Sequence, residues 1–133
     1  MAGGRWNYPG TAIVYTSATL SLAALEFLFH LGQHEIPRDM VSVPADIPDS
    51  VARTALVLEK VPERDWRRYP PLAGLCDMGR RWVESMDTAV LHVPSAIIPT
   101  ERNYLLNPAH PVFREIQVGP PEPFSLRLVT PRH

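Results

Sequence analysis

The feature that most constrains the fold is an apolar run, residues 20–31, that lies between a helix start signal and a helix stop signal. Thr16 or Ser17 can cap the first free N–H groups, and Gly32 can end the helix. Leucine and phenylalanine occupy nearly every side of this segment, so we predict that the helix is buried. The helix between these start and stop signals has about fourteen residues, fewer than the ~20 that a membrane-spanning helix needs.

Glu26 and His30 are the conspicuous polar residues of this helix, and their spacing places them on one face. A carboxylate among apolar neighbours needs a cation or hydrogen-bond donors, unless it takes up a proton. Arg5 precedes the strand expected at 11–16, which leads into the helix, so a strand–helix unit can bring Arg5 and Glu26 into one pocket. Such a pair would either hold the fold together or form part of a site.

The composition is that of one globular domain. The 133 residues are 45% hydrophobic and 20% charged, with a formal net charge of −1, so neither nucleic acid nor an anionic membrane is an expected partner. A single cysteine, Cys76, excludes an internal disulfide. No secretion signal is visible at the N-terminus, and we therefore expect a cytoplasmic protein.

Fifteen scattered prolines, together with one clear early helix, predict an α+β domain of short strands and many turns. We expect a further helix with one buried side at 72–85 and an irregular loop at 99–111. The ambiguous stretch 51–61 favours a strand around Leu56, followed by a helical turn. The remaining strands are expected at 40–43, 89–93, 112–118 and 124–129.

Several motifs together resemble the RES domain. The opening of that domain is similar to three features of this chain: the block Gly3-Gly4-Arg5-Trp6-Asn7, the Tyr15 that follows, and the block Ser21-Leu22-Ala23-Ala24-Leu25-Glu26. Its closing half is similar to Val93-Pro94-Ser95-Ala96 and to residues 103–111. The resemblance implies one RES domain over residues 1–133. It also implies a single compact α+β domain similar to the ADP-ribosyltransferase fold, without the strand that family members usually carry before the arginine motif.

The resemblance also implies a function. RES domains are typically the toxins of bacterial toxin–antitoxin systems, and they cleave the nicotinamide–ribose bond of NAD⁺ by hydrolysis, phosphorolysis or ADP-ribosyl transfer. NAD⁺ would be the substrate, with no separate cofactor, and an Xre-like antitoxin would neutralise the enzyme. The alternative is a catalytically silent domain of the same fold that binds a partner or a nucleotide.

The motif positions identify Arg5, Tyr15 and Glu26 as expected catalytic residues, and Ser95 and Asn103 as expected substrate-binding residues. Arginine binds pyrophosphate or ribose oxygens through its rigid fork, and tyrosine supplies a ring and a hydroxyl. A buried glutamate can stabilise a sugar cation or activate the incoming nucleophile. Serine and asparagine can orient the nicotinamide amide and the ribose hydroxyls.

Three other kinds of site fit less well. Glu26 and His30 have the spacing of a metal pair, but no third ligand of fixed geometry accompanies them, so we predict no metal. Ser95 with His92 or His110 suggests a hydrolase triad, but no nucleophile elbow surrounds the serine. The N-terminal glycines do not form the fingerprint of a Rossmann dinucleotide site.

Overall fold

A mixed four-stranded sheet is the centre of the domain in a computed structural model, which describes residues 4–126. A 3₁₀-helix, Pro111–Glu115, lies between the sixth and seventh strands. The other elements, in chain order, are β1 (Val14–Ser17), α1 (Leu20–Leu31), β2 (Val41–Ser42), β3 (Ala45–Asp46), α2 (Asp49–Ala52), β4 (Leu56–Val57), α3 (Ala73–Ser85), β5 (Val90–Pro94), β6 (Arg102–Leu106), β7 (Gln117–Val118) and β8 (Glu122–Pro123). This arrangement of helices around a mixed sheet confirms the predicted α+β domain.

The strand order in the sheet is β1-β6-β5-β4. β6 is antiparallel to both of its neighbours, whereas β4 and β5 are parallel. Tyr15 lies opposite Leu105, and Asn103 lies opposite both Ser17 and Val93. Because directly paired residues project to the same face, these polar side chains share a face with the core residues Leu105 and Val93.

Two apolar clusters pack on opposite faces of the sheet, as the alternation of Val90 and Leu91 along β5 requires. The larger cluster joins the sheet to α3 and to the N-terminal segment through Trp6, Ile13, Val61, Leu75, Trp82, Leu91, Val93 and Leu105. The smaller cluster contains Val51, Ala89, Val90, Leu106 and Ile116. Within residues 4–126, β1 and β4 are the two edges of this sheet.

The predicted burial of α1 is wrong. Leu22 is the buried residue of this helix, while Leu20 and Phe29 are 52% and 63% exposed. The physical reason is its position: α1 packs beside β1, an edge strand, so the sheet covers one side of the helix and leaves the others open. An apolar run that surrounds a helix therefore does not ensure that the whole helix is buried.

The ends of α1 were predicted with unequal success. Gly32 ends the helix with a φ of 61°, as predicted, since glycine adopts this left-handed region without steric cost. The start lies later than predicted. Thr19 is the N-cap, and its hydroxyl accepts the Leu22 N–H at 3.1 Å, because β1 continues through Ser17.

The later elements were also predicted in part. The helix at 72–85 and the strand at 89–93 are confirmed by α3 and β5. The loop predicted at 99–111 is wrong, because residues 102–106 form β6, whose polar first half hid the strand pattern. The strand predicted at 112–118 is mostly a 3₁₀-helix that begins with a proline. The strand predicted at 124–129 does not form at 124–126, and 127–129 lie outside the described residues.

No helix in residues 4–126 combines the length and apolar character needed to cross a membrane.

Candidate active site

Three segments of the chain supply hydrogen-bond donors to the carboxylate of Glu26, which lies on α1. Its Oε1 accepts hydrogen bonds from Ser17 Oγ at 2.6 Å and from Asn103 Nδ2 at 3.0 Å. Its Oε2 accepts a hydrogen bond from Ser95 Oγ at 2.9 Å. These donors come from the end of β1, from β6 and from the residue that follows β5. The fold thus surrounds a half-buried carboxylate with hydroxyl and amide donors.

Both serine hydroxyls donate to the carboxylate of Glu26. Ser95 is fully buried, and its Oγ accepts the N–H groups of Ile97 and Ile98 at 3.1 and 3.2 Å. Ser17 Oγ accepts a hydrogen bond from Asn103 Nδ2 at 3.2 Å. A hydroxyl has one proton and two lone pairs, so Ser95, with both lone pairs occupied, directs its proton to Oε2. Ser17 donates its proton to Oε1.

The donors around Glu26 are neutral. Within residues 4–126, the side-chain ion pairs are those of Arg80 with Asp77 at 3.5 Å and with Glu84 at 3.9 Å. The Arg5–Glu26 ion pair that the sequence left open therefore does not form. Among residues 4–126, the carboxylate of Glu26 is held in place by hydrogen bonds from neutral side chains, and no basic side chain pairs with it.

Arg5 is attached to the loop formed by residues 62–71. Its Nη1 donates to the carbonyl oxygens of Trp66 and Arg68, each at 2.8 Å. Burial lowers the pKa of the Arg5 guanidinium, and the nearby Tyr15 acts in the opposite direction. An arginine side chain stays charged at neutral pH, so Arg5 is a fixed cation at this end of the site.

Tyr15 lies next to Arg5 and supports the N-terminal segment. Its hydroxyl accepts the Trp6 N–H at 3.0 Å and donates to Asn7 Oδ1. A Cβ on Gly4 would lie 2.7 Å from this hydroxyl, so the close approach requires glycine. The residue as a whole is 43% exposed, but its hydroxyl is enclosed by these contacts. Burial therefore raises the pKa of Tyr15 to about 12.

The N-terminal segment packs tightly on α3. A Cβ on Gly79 would lie 1.6 Å from the carbonyl oxygen of Trp6, so only glycine permits this packing. The thiol of Cys76 lies 3.7 Å from the carbonyl oxygens of Gly4 and Arg5, and burial raises its pKa. The backbone on either side of Arg5 is thereby positioned by α3.

Two connections join the Arg5 end of the site to the Glu26 end. Tyr15 and Ser17 are two residues apart on β1 and therefore project to the same face. Arg67, in the loop at 62–71, donates to the carbonyl oxygens of Ala96 and Ile97 at 2.7 and 3.1 Å. This loop thus contacts both Arg5 and the turn that follows Ser95.

An open cleft of about 860 Å³ adjoins Ser17 and Tyr15, a volume typical of small-molecule sites. It lies between β1, one side of α1 and the segment at 40–47. Most of its lining is apolar, and Glu122 is the charged residue among its described lining residues. Arg5 and Glu26 do not line it. The cleft and the Glu26 carboxylate share Ser17 as a common neighbour.

Comparison with known proteins gives the family. The RES domain family model matches residues 1–127. This chain belongs to the RES domain family. The Prs ADP-ribosylating toxin of Sphingobium sp. strain YBL2 is 40% identical over 113 residues, which cover 84% of this chain and 70% of that protein. A protein named Toxin Res from Yersinia enterocolitica is 38% identical over 112 residues, which cover 84% of this chain and 72% of that toxin.

The structure of this RES domain places the predicted residues in two groups. It brings Glu26, Ser95 and Asn103 together, and it places Arg5 beside Tyr15. The serine and the asparagine contact the glutamate, and their contact with a substrate stays a prediction. His30 is exposed. No group of three or more possible metal-ligating His, Cys, Asp or Glu residues occurs in the described part of the chain.

Ser17 is the residue that sequence reasoning missed. In the sequence it reads only as a possible helix cap. The available signal was its position two residues after Tyr15 in a strand, because alternation places both side chains on one face. That signal identifies the face but not the partner, since the contact with Glu26 depends on how α1 packs against β1.

Proposed function

We propose that this RES domain is an NAD⁺-consuming toxin that cleaves the nicotinamide–ribose bond, with Glu26 as its central catalytic residue. The observation that carries the proposal is an ionisable carboxylate held on both oxygens by neutral donors. The names of the relatives support it: one is an ADP-ribosylating toxin and another is a toxin. This arrangement fits a reaction in which positive charge develops on a bound sugar.

In the proposed reaction, the bond between C1′ of the ribose and the nicotinamide nitrogen breaks. Both bonding electrons leave with nicotinamide, and positive charge develops on C1′ and the ring oxygen of the ribose. The Glu26 anion stabilises this charge, and its partly buried position strengthens the attraction relative to bulk water. An acceptor oxygen or nitrogen then bonds to C1′ and loses its proton.

Arg5 and Tyr15 would bind and orient the substrate. Both Nη1 hydrogens of Arg5 are engaged by carbonyl oxygens, so Nη2 and Nε would contact the pyrophosphate or a ribose oxygen. Tyr15, with its raised pKa of about 12, stays protonated at neutral pH. It would therefore act through its ring and its neutral hydroxyl, and not as a base.

The open cleft would hold the uncharged parts of the dinucleotide. Its lining is mostly apolar, and among the described lining residues the charged one is an acid, Glu122. Such a surface favours a base or a ribose and disfavours a pyrophosphate. Arg5, outside the cleft, would bind the negatively charged part of NAD⁺.

The acceptor of the ADP-ribose decides the class of the enzyme. The name of the Sphingobium relative, an ADP-ribosylating toxin, supports ADP-ribosyl transfer, whereas water or phosphate as acceptor would give hydrolysis or phosphorolysis. We also propose an Xre-like antitoxin that covers the site, because unrestrained consumption of NAD⁺ would harm the host cell. Expression of this chain alone should stop bacterial growth, and co-expression of the adjacent gene should restore it.

Nicotinamide release from NAD⁺ by the purified chain, followed by chromatography, tests the reaction. The Glu26→Gln variant keeps the shape but removes the charge, and it should lower turnover by ~10²-fold or more. Glu84→Gln, a matched change at an exposed position on α3, should retain wild-type turnover. Product analysis then separates free ADP-ribose, its phosphate ester and labelled protein.

Two outcomes would contradict this proposal. A folded wild-type chain that binds nucleotide without releasing nicotinamide would instead support a catalytically silent binding domain. Full turnover in a folded Glu26→Gln variant would remove Glu26 from the mechanism.

A further inference from the structure

Ser17 makes the shortest of the hydrogen bonds to Glu26. Its Oγ lies 2.6 Å from Oε1, compared with 3.0 Å for Asn103 Nδ2 and 2.9 Å between Ser95 Oγ and Oε2. Ser17 is the last residue of β1, and Glu26 lies on α1, which begins at Leu20. A short connection therefore joins the two elements that carry these partners. The geometry therefore gives this serine direct control over one carboxylate oxygen.

The proton of Ser17 is directed to Glu26 by the sheet itself. Ser17 and Asn103 are paired residues on β1 and β6, and the amide of Asn103 donates to Ser17 Oγ at 3.2 Å. The same amide lies 3.3 Å from the Thr16 carbonyl oxygen, which holds it against β1. The Ser17 hydroxyl accepts this donor through one lone pair and donates its own proton to Oε1.

We propose that Ser17 is a positioning residue that sets the plane of the Glu26 carboxylate, an inference that rests on the proposed NAD⁺ cleavage. Ser17 and Asn103 hold Oε1 from one side, while Ser95 holds Oε2 from the end of β5. Donors on both oxygens prevent the carboxylate from turning about its terminal bond. Without Ser17, Glu26 keeps its charge, but Oε1 is left with the longer contact from Asn103 alone, so the direction of the carboxylate is less well fixed. Misdirected charge stabilises a transition state poorly.

A double-mutant cycle tests this role. We expect Ser17→Ala to lower kcat for nicotinamide release by about 5- to 20-fold, while KM changes by less than about threefold. In the Glu26→Gln background, the same substitution should change kcat by less than about twofold, because there is no longer a carboxylate to position. A residue that only supported the fold would cause the same loss in both backgrounds.

Two further variants make the cycle decisive. Ser85→Ala is the matched control: its Oγ donates to the Trp82 carbonyl oxygen at 2.7 Å on α3, away from Glu26, and it should keep wild-type kcat. Ser17→Cys serves if Ser17→Ala is unstable, because a thiol fills the space but donates weakly. It should also lose several-fold in kcat.

The outcomes separate this inference from the proposed function. An active wild type with an inactive Glu26→Gln variant and an unaffected Ser17→Ala variant overturns the role of Ser17 alone. Equal losses from Ser17→Ala in both backgrounds, or a rise in KM without a fall in kcat, also overturn it. A folded wild type that releases no nicotinamide overturns both proposals.

Discussion

Ser17 and Asn103 lie directly opposite each other on β1 and β6, and both side chains donate to the same oxygen of Glu26. They are 86 residues apart in the chain, and the antiparallel pairing of an edge strand with a central strand brings them together. Glu26 is thus held by the sheet as well as by its own helix. The position of its charge depends on the register of two strands.

Replacement of Asn103 by aspartate should disrupt the candidate site without a large change in shape. The new carboxylate would lie about 3 Å from Glu26 Oε1, where the amide donates at 3.0 Å, and like charges at this distance repel. We expect turnover in the nicotinamide assay at neutral pH to fall by ~10-fold or more.

Gln117→Glu, an amide-to-acid change at an exposed position on β7, is the control for Asn103→Asp and should retain activity. Wild-type turnover in a folded Asn103→Asp variant would show that this amide does not matter to Glu26.

Gly79→Ala should destabilise the domain although alanine favours helices. The intrinsic preference is worth only ~1 kcal/mol, whereas the new Cβ would lie 1.6 Å from the Trp6 carbonyl oxygen. Backbone must then move, and we expect a loss of ~1–3 kcal/mol in the free energy of unfolding, measured by urea denaturation.

Gly74→Ala on the same helix provides the comparison for Gly79→Ala. Its Cβ would meet the end of the Glu63 side chain, which can turn away, so we expect little change or a small gain in stability. If both variants were equally stable, the packing of the N-terminal segment on α3 would differ from the structure described above.

Arg67→Ala should loosen the turn that follows Ser95. The Arg67 side chain donates to the carbonyl oxygens of Ala96 and Ile97, and the N–H groups of Ile97 and Ile98 donate to Ser95. We expect these two amides to exchange with deuterium ~5-fold faster in the variant. The reason is that losing partly exposed hydrogen bonds worth ~1 kcal/mol makes local opening of the turn easier.

Arg68→Ala is the neighbouring control, because the contact with Arg5 uses the backbone carbonyl of residue 68, which the substitution retains. It should leave the exchange of both amides unchanged. Unchanged exchange in Arg67→Ala would show that Ser95 is positioned without the loop at 62–71.

The enclosed hydroxyl of Tyr15 should make stability depend on pH in the alkaline range. Burial raises its pKa from 10.0 to about 12, so above pH 10 the unfolded chain loses this proton before the folded chain does. The stabilising contribution is therefore present below pH 10 and is lost as the pH rises towards 12. Because Tyr15 is partly exposed, its contribution to the free energy of unfolding is only ~1 kcal/mol.

Urea denaturation between pH 9 and 11.5 measures this effect, and Tyr15→Phe should flatten the decline relative to the wild type. Tyr69→Phe is the control, because Tyr69 is 80% exposed and the decline should persist. Identical pH dependence in Tyr15→Phe and the wild type would contradict the enclosure of this hydroxyl.

The sequence by itself determined the elements that local signals specify. Gly32 ends α1 because glycine alone adopts its backbone angle freely, and α3 follows from apolar residues spaced for one buried side. The motifs at 3–7, 21–26, 93–96 and 103–111, together with Tyr15, indicated the RES family, which the family model confirms. All of these features depend on residues that are close together in the chain.

The tertiary structure decided which side chains meet. β6 was hidden because the polar Arg102 and Asn103 begin it, and a central strand is stabilised by partners that no local pattern reveals. The sequence left open whether Arg5 or hydrogen-bond donors would contact Glu26, and strand register places neutral donors there. A shift of one residue in that register would turn Ser17 to the other face, which is why the site depends on long-range pairing.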